Sequence, residues 1–244
     1  MGTTVRIALL LEDDASFRQL VLPLLAARGF TVREASTLAE ATASLEASAE
    51  PPALIVADGL LPDGSAIEWL RALAQPLREG PVLFVSAHWS GLREHRDLRQ
   101  QLAGLLHLEL VHKPIGPDAL AVRLDQLLGR TSAPALSPEL ASMMAQLKTE
   151  YGGALPAKLE ELRALVRLAR AAPADGPARK AARTAAHKLA GTAGSYGFPE
   201  ESITAAAVEA QAVRAERASG EQRSACWAVA ESALDEVLPR QGTP

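Results

Sequence analysis

The chain is poor in the residues on which several protein classes depend. It carries one cysteine, Cys226, in 244 residues, which excludes an intramolecular disulfide framework and suits a reducing cytoplasm. That thiol is expected to pack as a small hydrophobe. Aromatic residues make up only 4%, and together with abundant alanine this favours close-packed helices over an all-β architecture. Long apolar runs are missing: the run 7–11 is too short for a signal-peptide core and meets Glu12, Asp13 and Asp14 at once. No stretch approaches the length that spans a bilayer. Excess positive charge is missing too, since the formal net charge is -4, and no basic stripe interleaved with aromatics offers a surface to nucleic acid. These absences predict a cytoplasmic protein with neither a nucleic-acid nor a membrane partner, and the length predicts two domains.

What is present falls into two halves with different patterns. The first alternates short apolar runs with amphipathic stretches. Strands are predicted over 6–11, 31–34, 53–57, 82–86 and 108–112, and helices over 16–28, 38–47, 65–74 and 117–128. That alternation specifies a doubly wound, five-stranded parallel sheet with helices on both faces, and such sheets place their sites at the carboxyl ends of the strands. Residues 129–138 carry turn residues and no periodicity. Beyond them only helical patterns occur, over 139–150, 155–172, 177 to about 196, 200–219 and 221–238, with breaks expected at Gly152-Gly153, 173–176, Pro199 and Gly220. Short connections between such helices predict an antiparallel bundle. The domains are therefore placed at 1–130 and 139–244, with a linker at 131–138.

In the first half Glu12 and Asp13 follow the first strand, Asp58 the third, Ser86 closes the fourth and Lys113 follows the fifth. Carboxylates gathered at one edge cannot all ionise comfortably without a cation, which points to a hard divalent ion with oxygen ligands. A lysine and a hydroxyl at that edge could hold the outer oxygens of a phosphoryl group, with Asp58 as nucleophile forming an acyl phosphate. Each residue alone is also a common helix cap or turn residue; the five together are not. The segments Leu9-Leu10-Leu11-Glu12-Asp13-Asp14, Asp58-Gly59-Leu60-Leu61-Pro62-Asp63-Gly64, Ser86-Ala87 and Lys113-Pro114 resemble the receiver domain of bacterial response regulators over about residues 4–130. The resemblance implies a flavodoxin-like fold with Asp58 as phospho-acceptor. It implies Asp13 as a direct magnesium ligand, Glu12 as an acid acting through water, and the Leu60 backbone carbonyl as a further ligand. It also implies that Ser86 and Lys113 contact the phosphoryl group. Two departures stand out. Leu110 occupies the place of the usual switch aromatic, and the stretch from Ser86 to Lys113 is longer than usual and carries His88, His95, His107 and His112. These histidines lack the paired spacing of a metal set, so a solvated, altered helix is expected there.

The second half centres on His187-Lys188-Leu189-Ala190-Gly191-Thr192-Ala193-Gly194-Ser195-Tyr196-Gly197-Phe198. Three glycines in a helical segment need a reason, because each costs roughly 1 kcal/mol relative to alanine. At about 100° per residue, Gly191 lies about 40° and Gly194 about 20° from His187, while Leu189 points about 200° away. The pattern predicts a buried Leu189 and a His187 on a face stripped of side chains. Lys180 and Arg183 share that face, about 20° and 40° from His187, where they could attract an acidic partner edge; Lys188 is adjacent in sequence but projects about 100° away. This run resembles the histidine phosphotransfer domain of phosphorelays, over about 139–240. The resemblance makes His187 the phosphorylated residue and Gly191 the clearance for an incoming receiver. Many relatives carry a lysine where this chain has Ala190, a departure bearing on rate or partner choice.

Together these observations predict a phosphorelay protein rather than a turnover enzyme, in which phosphoryl groups pass reversibly between histidine and aspartate with magnesium at the aspartate end. The implied partners are a sensor histidine kinase and other receiver or phosphotransfer proteins. The receiver is expected to catalyse its own phosphorylation and dephosphorylation. Two other readings remain open at this stage: a receiver-regulated protein-binding module that uses His187 as a contact, and a phosphate sink that does not pass its phosphoryl group onward.

Overall fold

The computed structural model describes residues 6–48, 50–75, 77–87, 92–130, 136–171 and 176–238. Contacts divide the chain into two compact units, Met1–Leu147 and Lys148–Pro244. His88, residues 131–135 of the expected linker and most of the expected break at 173–176 lie outside the described residues.

In the first unit β1 (Arg6–Leu11), β2 (Phe30–Ala35), β3 (Leu54–Asp58), β6 (Pro81–Ser86) and β7 (His107–His112) form one sheet in the order β2-β1-β3-β6-β7, all parallel. A two-residue ribbon, β4 (Leu60–Leu61) with β5 (Gly64–Ser65), follows β3. The central strand β3 is buried along its whole length, as expected where helices cover both faces. Leu11, Ala57, Phe84 and Leu110 lie side by side across the register. Their face packs with residues of α2 (Leu38–Glu46) and α3 (Ala66–Ala72). Helices α1 (Ala15–Ala26) and α5 (Pro117–Leu127) pack together. They are pinned where the buried Arg28 donates to both Asp125 oxygens (2.9 and 2.7 Å) and to Ala121 O (2.9 Å). The chain leaves β1 toward β2 and returns to β3 on the other side, so the strand order reverses between β1 and β3. A crevice opens there at the carboxyl ends.

Helix α4 (Leu92–Gln101) supplies the charged, solvated helix expected between Ser86 and Lys113.

The second unit is helical among its described residues, built from α6 (Pro138–Ala171), α7 (Pro177–Ser195), α8 (Pro199–Arg217) and α9 (Gly220–Val237). One expectation is corrected: the helices expected over 139–150 and 155–172 are not parted at Gly152-Gly153, because α6 runs through both glycines and Pro156. It also runs through the division between the two units. Its buried positions Tyr151, Leu155, Leu159, Leu162, Val166 and Ala169 keep a helical period across the supposed break, and burial of that stripe outweighs the cost of two glycines. Gly152 has a packing role, since a Cβ there would lie 2.7 Å from Phe198 Cζ. Beside it Tyr151 stacks on Tyr196 with ring centroids 4.3 Å apart.

Helix α7 ends as its glycines suggest. Gly197 takes φ +82, and Phe198 N donates back to Ala193 O at 2.9 Å, closing the helix with a left-handed glycine just beyond its last turn. The α7–α8 contact carries three polar rungs. Ser202 Oγ donates to Ala190 O (2.6 Å), Glu209 Oε1 lies 3.0 Å from His187 Nδ1, and Arg183 donates to Glu216 at 2.9 Å. Ser202, Glu209 and Glu216 are spaced by sevens and so share one stripe of α8. Across the bundle Arg163 pairs with Asp235 (3.1 Å), and Arg167 and Arg170 pair with Glu231 (2.6 and 3.1 Å), tying α6 to α9.

Candidate phosphoryl site and bundle histidine

The crevice between β1 and β3 gathers the predicted residues of the first unit. Asp58 ends β3 and is buried, as are Glu12, Ser86 and Lys113, while Asp13 is half-buried. Parallel pairing delivers them to one edge. Gly59 N donates to Val85 O (3.1 Å) and Lys113 N to Ser86 O (3.0 Å), extending the ladder one step past the strands. Lys113 Nζ then reaches Glu12 Oε2 at 2.7 Å and Asp58 Oδ2 at 2.8 Å. The other Glu12 oxygen accepts from Asp14 N (3.1 Å), and Asp14 caps α1 by accepting from Ser16 N (2.8 Å).

Burial dominates the electrostatics. It pushes the Glu12 carboxyl up to about 8 despite the Lys113 ammonium beside it, and the nearby Asp58 charge adds to the rise. Burial also pulls on the Lys113 ammonium, but the charges of Asp58 and Glu12 outweigh it and hold that group above its ordinary value. Glu12, Asp13 and Asp58 each offer an oxygen, all within 4.8 Å of one another, the one such group among the described residues that could hold a metal ion. An all-carboxylate oxygen set fits a hard divalent cation. Leu60 is about half exposed, and its backbone N donates to Asp58 Oδ1 at 3.4 Å. The histidines of the long stretch do not join this set: His95 sits on α4, and His107 and His112 at the two ends of β7.

Sequence reasoning missed two residues here. Gly59 makes room for Ser86, because a Cβ at 59 would fall 2.5 Å from Ser86 Oγ; its place directly after Asp58 was the available signal. Phe17 lies beneath Lys113, its ring centroid 4.0 Å from Nζ, and a phenylalanine in an apolar helix stripe gives no sign of that. Leu110 turns into the core beside Phe84, Leu102 and Leu105. It also floors a cleft of about 450 Å³ whose rim includes His95, Arg99, Glu109, His112 and Arg123.

Residues 8–125 match the family described as response regulator receiver domain. The first unit contains a receiver domain, over residues 8–125. The receiver is similar to the KDP operon transcriptional regulatory protein KdpE of Escherichia coli (strain K12), at 35% identity over 125 residues, 51% of this chain and 52% of that protein. The chain thus spans about half the length of that curated relative. Solved structures similar to it include the receiver domain of a putative LuxO repressor protein from Vibrio parahaemolyticus, at 26% identity over 52% of this chain and 92% of that one, TM-score 0.44. Another is chemotaxis response regulator CheY4 of Vibrio cholerae, at 23% identity over 51% and 99% of the two chains, TM-score 0.43. No helix among the described residues is long and apolar enough to cross a membrane.

In the second unit Leu189 is buried as expected. The face around His187 is less bare than its glycines imply, and this corrects the picture of an open helix side. The His187 side chain is 15% exposed and its Nδ1 meets Glu209. Gly191 is buried and Gly194 half-buried, because α8 packs closely on this side of α7. Ala190, also buried, accepts the bond from Ser202 at that contact, so its small side chain serves helix approach. Arg183 is engaged with Glu216. Lys180 and Lys188 line a shallow groove of about 430 Å³ with Pro177, Ala181, Thr184 and Ala185. Glu209 escaped the sequence reading because a glutamate among alanines is ordinarily a solvated charge.

Proposed function

We propose that the chain is a phosphorelay protein: the receiver accepts a phosphoryl group at Asp58, and the bundle, as a histidine phosphotransfer domain over 139–244, carries one at His187. The observation supporting the first half most strongly is the buried Glu12–Lys113–Asp58 constellation at the sheet edge. An Asp58 oxygen attacks phosphorus, the bond from phosphorus to the donor nitrogen breaks with its electron pair, and the acyl phosphate forms. Lys113 then shifts its hydrogen bond from the Asp58 carboxylate to a phosphoryl oxygen, and Ser86 is placed to bond another. Magnesium, held by Asp13, Asp58 and the Leu60 carbonyl with Glu12 acting through water, would neutralise the phosphoryl charge. Charge neutralisation and in-line placement account for the catalysis, so the receiver promotes its own phosphorylation and hydrolysis without being a turnover enzyme.

The reading of the bundle is supported by the His187–Glu209 pair. In the tautomer with its proton on Nδ1, the imidazole donates to Glu209, which fixes the ring and leaves the lone pair on Nε2 as nucleophile. The Lys180–Lys188 groove, floored by small side chains, is the proposed contact for the acidic edge of a receiver. The proposed partners are a sensor histidine kinase and further receiver or phosphotransfer proteins in a bacterial cytoplasm. Phosphate tracing from a purified histidine kinase tests the proposal with wild type, Asp58→Ala and His187→Gln. Each substitution removes label from its own residue. Full downstream transfer by His187→Gln would instead favour a binding module, and label that never leaves the chain a phosphate sink.

A further inference from the structure

Lys113 offers three N–H donors, and two are directed at carboxylates: Glu12 Oε2 at 2.7 Å and Asp58 Oδ2 at 2.8 Å. A buried ammonium with positive surface left over carries a desolvation cost. The remaining side is covered by the ring of Phe17, whose centroid lies 4.0 Å from Nζ. Phe17 stands on α1 and is itself buried, so the π face it presents to the ammonium is dry, the setting in which this attraction is strongest.

These three contacts differ in what happens to them when a phosphoryl group arrives. Asp58 gives its charge into the new oxygen–phosphorus bond, so its hold on Lys113 is the one that must be released. Glu12 is shared with the carboxylate set. The ring carries no net charge, accepts no phosphoryl group and keeps its place throughout. We infer that Phe17 is a positioning residue: its π face holds the Lys113 ammonium in the crevice while its hydrogen bond passes from Asp58 to a phosphoryl oxygen. The inference rests on the reading of Asp58 as phosphoryl acceptor. Lys113 keeps its proton throughout, and the electron pair of the broken bond leaves with the donor.

The test replaces Phe17 in the full chain, by site-specific incorporation, with phenylalanines bearing one, two and three fluorines. These weaken the π face stepwise while nearly conserving shape. With magnesium and acetyl phosphate, the phosphorylation rate should fall at each step, reaching about three- to tenfold at the trifluorinated ring, while thermal stability stays level. Independently of activity, the Lys113 side-chain protons should show an upfield ring-current shift that disappears in Phe17→Leu. A flat rate series with no ring-current shift overturns the inference. Wild type that takes no label at Asp58 overturns the acceptor reading instead, and the two failures are distinguishable.

Discussion

A methyl group at position 59 would lie 2.5 Å from Ser86 Oγ and 2.8 Å from Ser86 Cβ. Gly59→Ala should therefore displace Ser86 or spread β3 from β6, at a cost of about 1–3 kcal/mol. It should also slow phosphorylation of Asp58; thermal unfolding and labelling rates check the two effects separately. Glu12 gives a second residue-scale prediction. Its carboxyl, ordinarily titrating near 4.5, is pushed by burial to about 8. Between those values the folded protein holds a proton that the unfolded chain has released. Stability without metal should thus decline as pH rises through that window. Glu12→Gln should flatten this decline. A divalent cation needs the ionised carboxylates, so magnesium should raise the unfolding midpoint more at pH 8 than at pH 6. Scanning calorimetry across pH, with and without magnesium, checks both; an unchanged slope in Glu12→Gln would contradict the assignment.

At the scale of elements, α1 and α5 are joined by the Arg28–Asp125 pair, with side chains 7% and 3% exposed. Removing Arg28 leaves the buried Asp125 to the more distant, half-exposed Arg130 at 3.7 Å, so Arg28→Met should cost about 3 kcal/mol, and Arg28→Met with Asp125→Leu should recover much of that loss. Denaturant unfolding of both variants measures the difference. The two glycines of α6 should respond in opposite ways. At Gly153 a Cβ meets nothing within 4 Å, so Gly153→Ala should stabilise the helix by about 0.5–1 kcal/mol. At Gly152 the same change meets Phe198 Cζ at 2.7 Å and should destabilise despite the better helix propensity. Sequence alone reads both as one break, because the information that separates them resides in Phe198, far along the chain. The strands were legible for the opposite reason: a run such as 54–57 is apolar throughout, and its burial follows from its own residues. The two-residue ribbon after Asp58 has no periodicity to read.

For the whole molecule, residues at strand ends were legible as a site because a parallel sheet delivers all its carboxyl ends to one edge. Residues acting through a neighbour, Phe17 under Lys113 and Glu209 beside His187, were not, since each looks ordinary until a second helix is placed. The same applies to the glycines around His187, whose openness the sequence overstates where α8 covers them. The account as a whole predicts two phosphoryl carriers of different chemistry in one chain. Phosphorus NMR of the full chain, incubated with magnesium and acetyl phosphate and then freed of the reagent, tests this most directly, because a protein-bound acyl phosphate and a phosphohistidine resonate apart. Wild type should show both signals, Asp58→Ala should lose the acyl phosphate, and His187→Gln should lose the phosphohistidine alone. An acyl phosphate that survives Asp58→Ala, or a phosphohistidine signal that is absent from wild type or survives His187→Gln, would contradict the account.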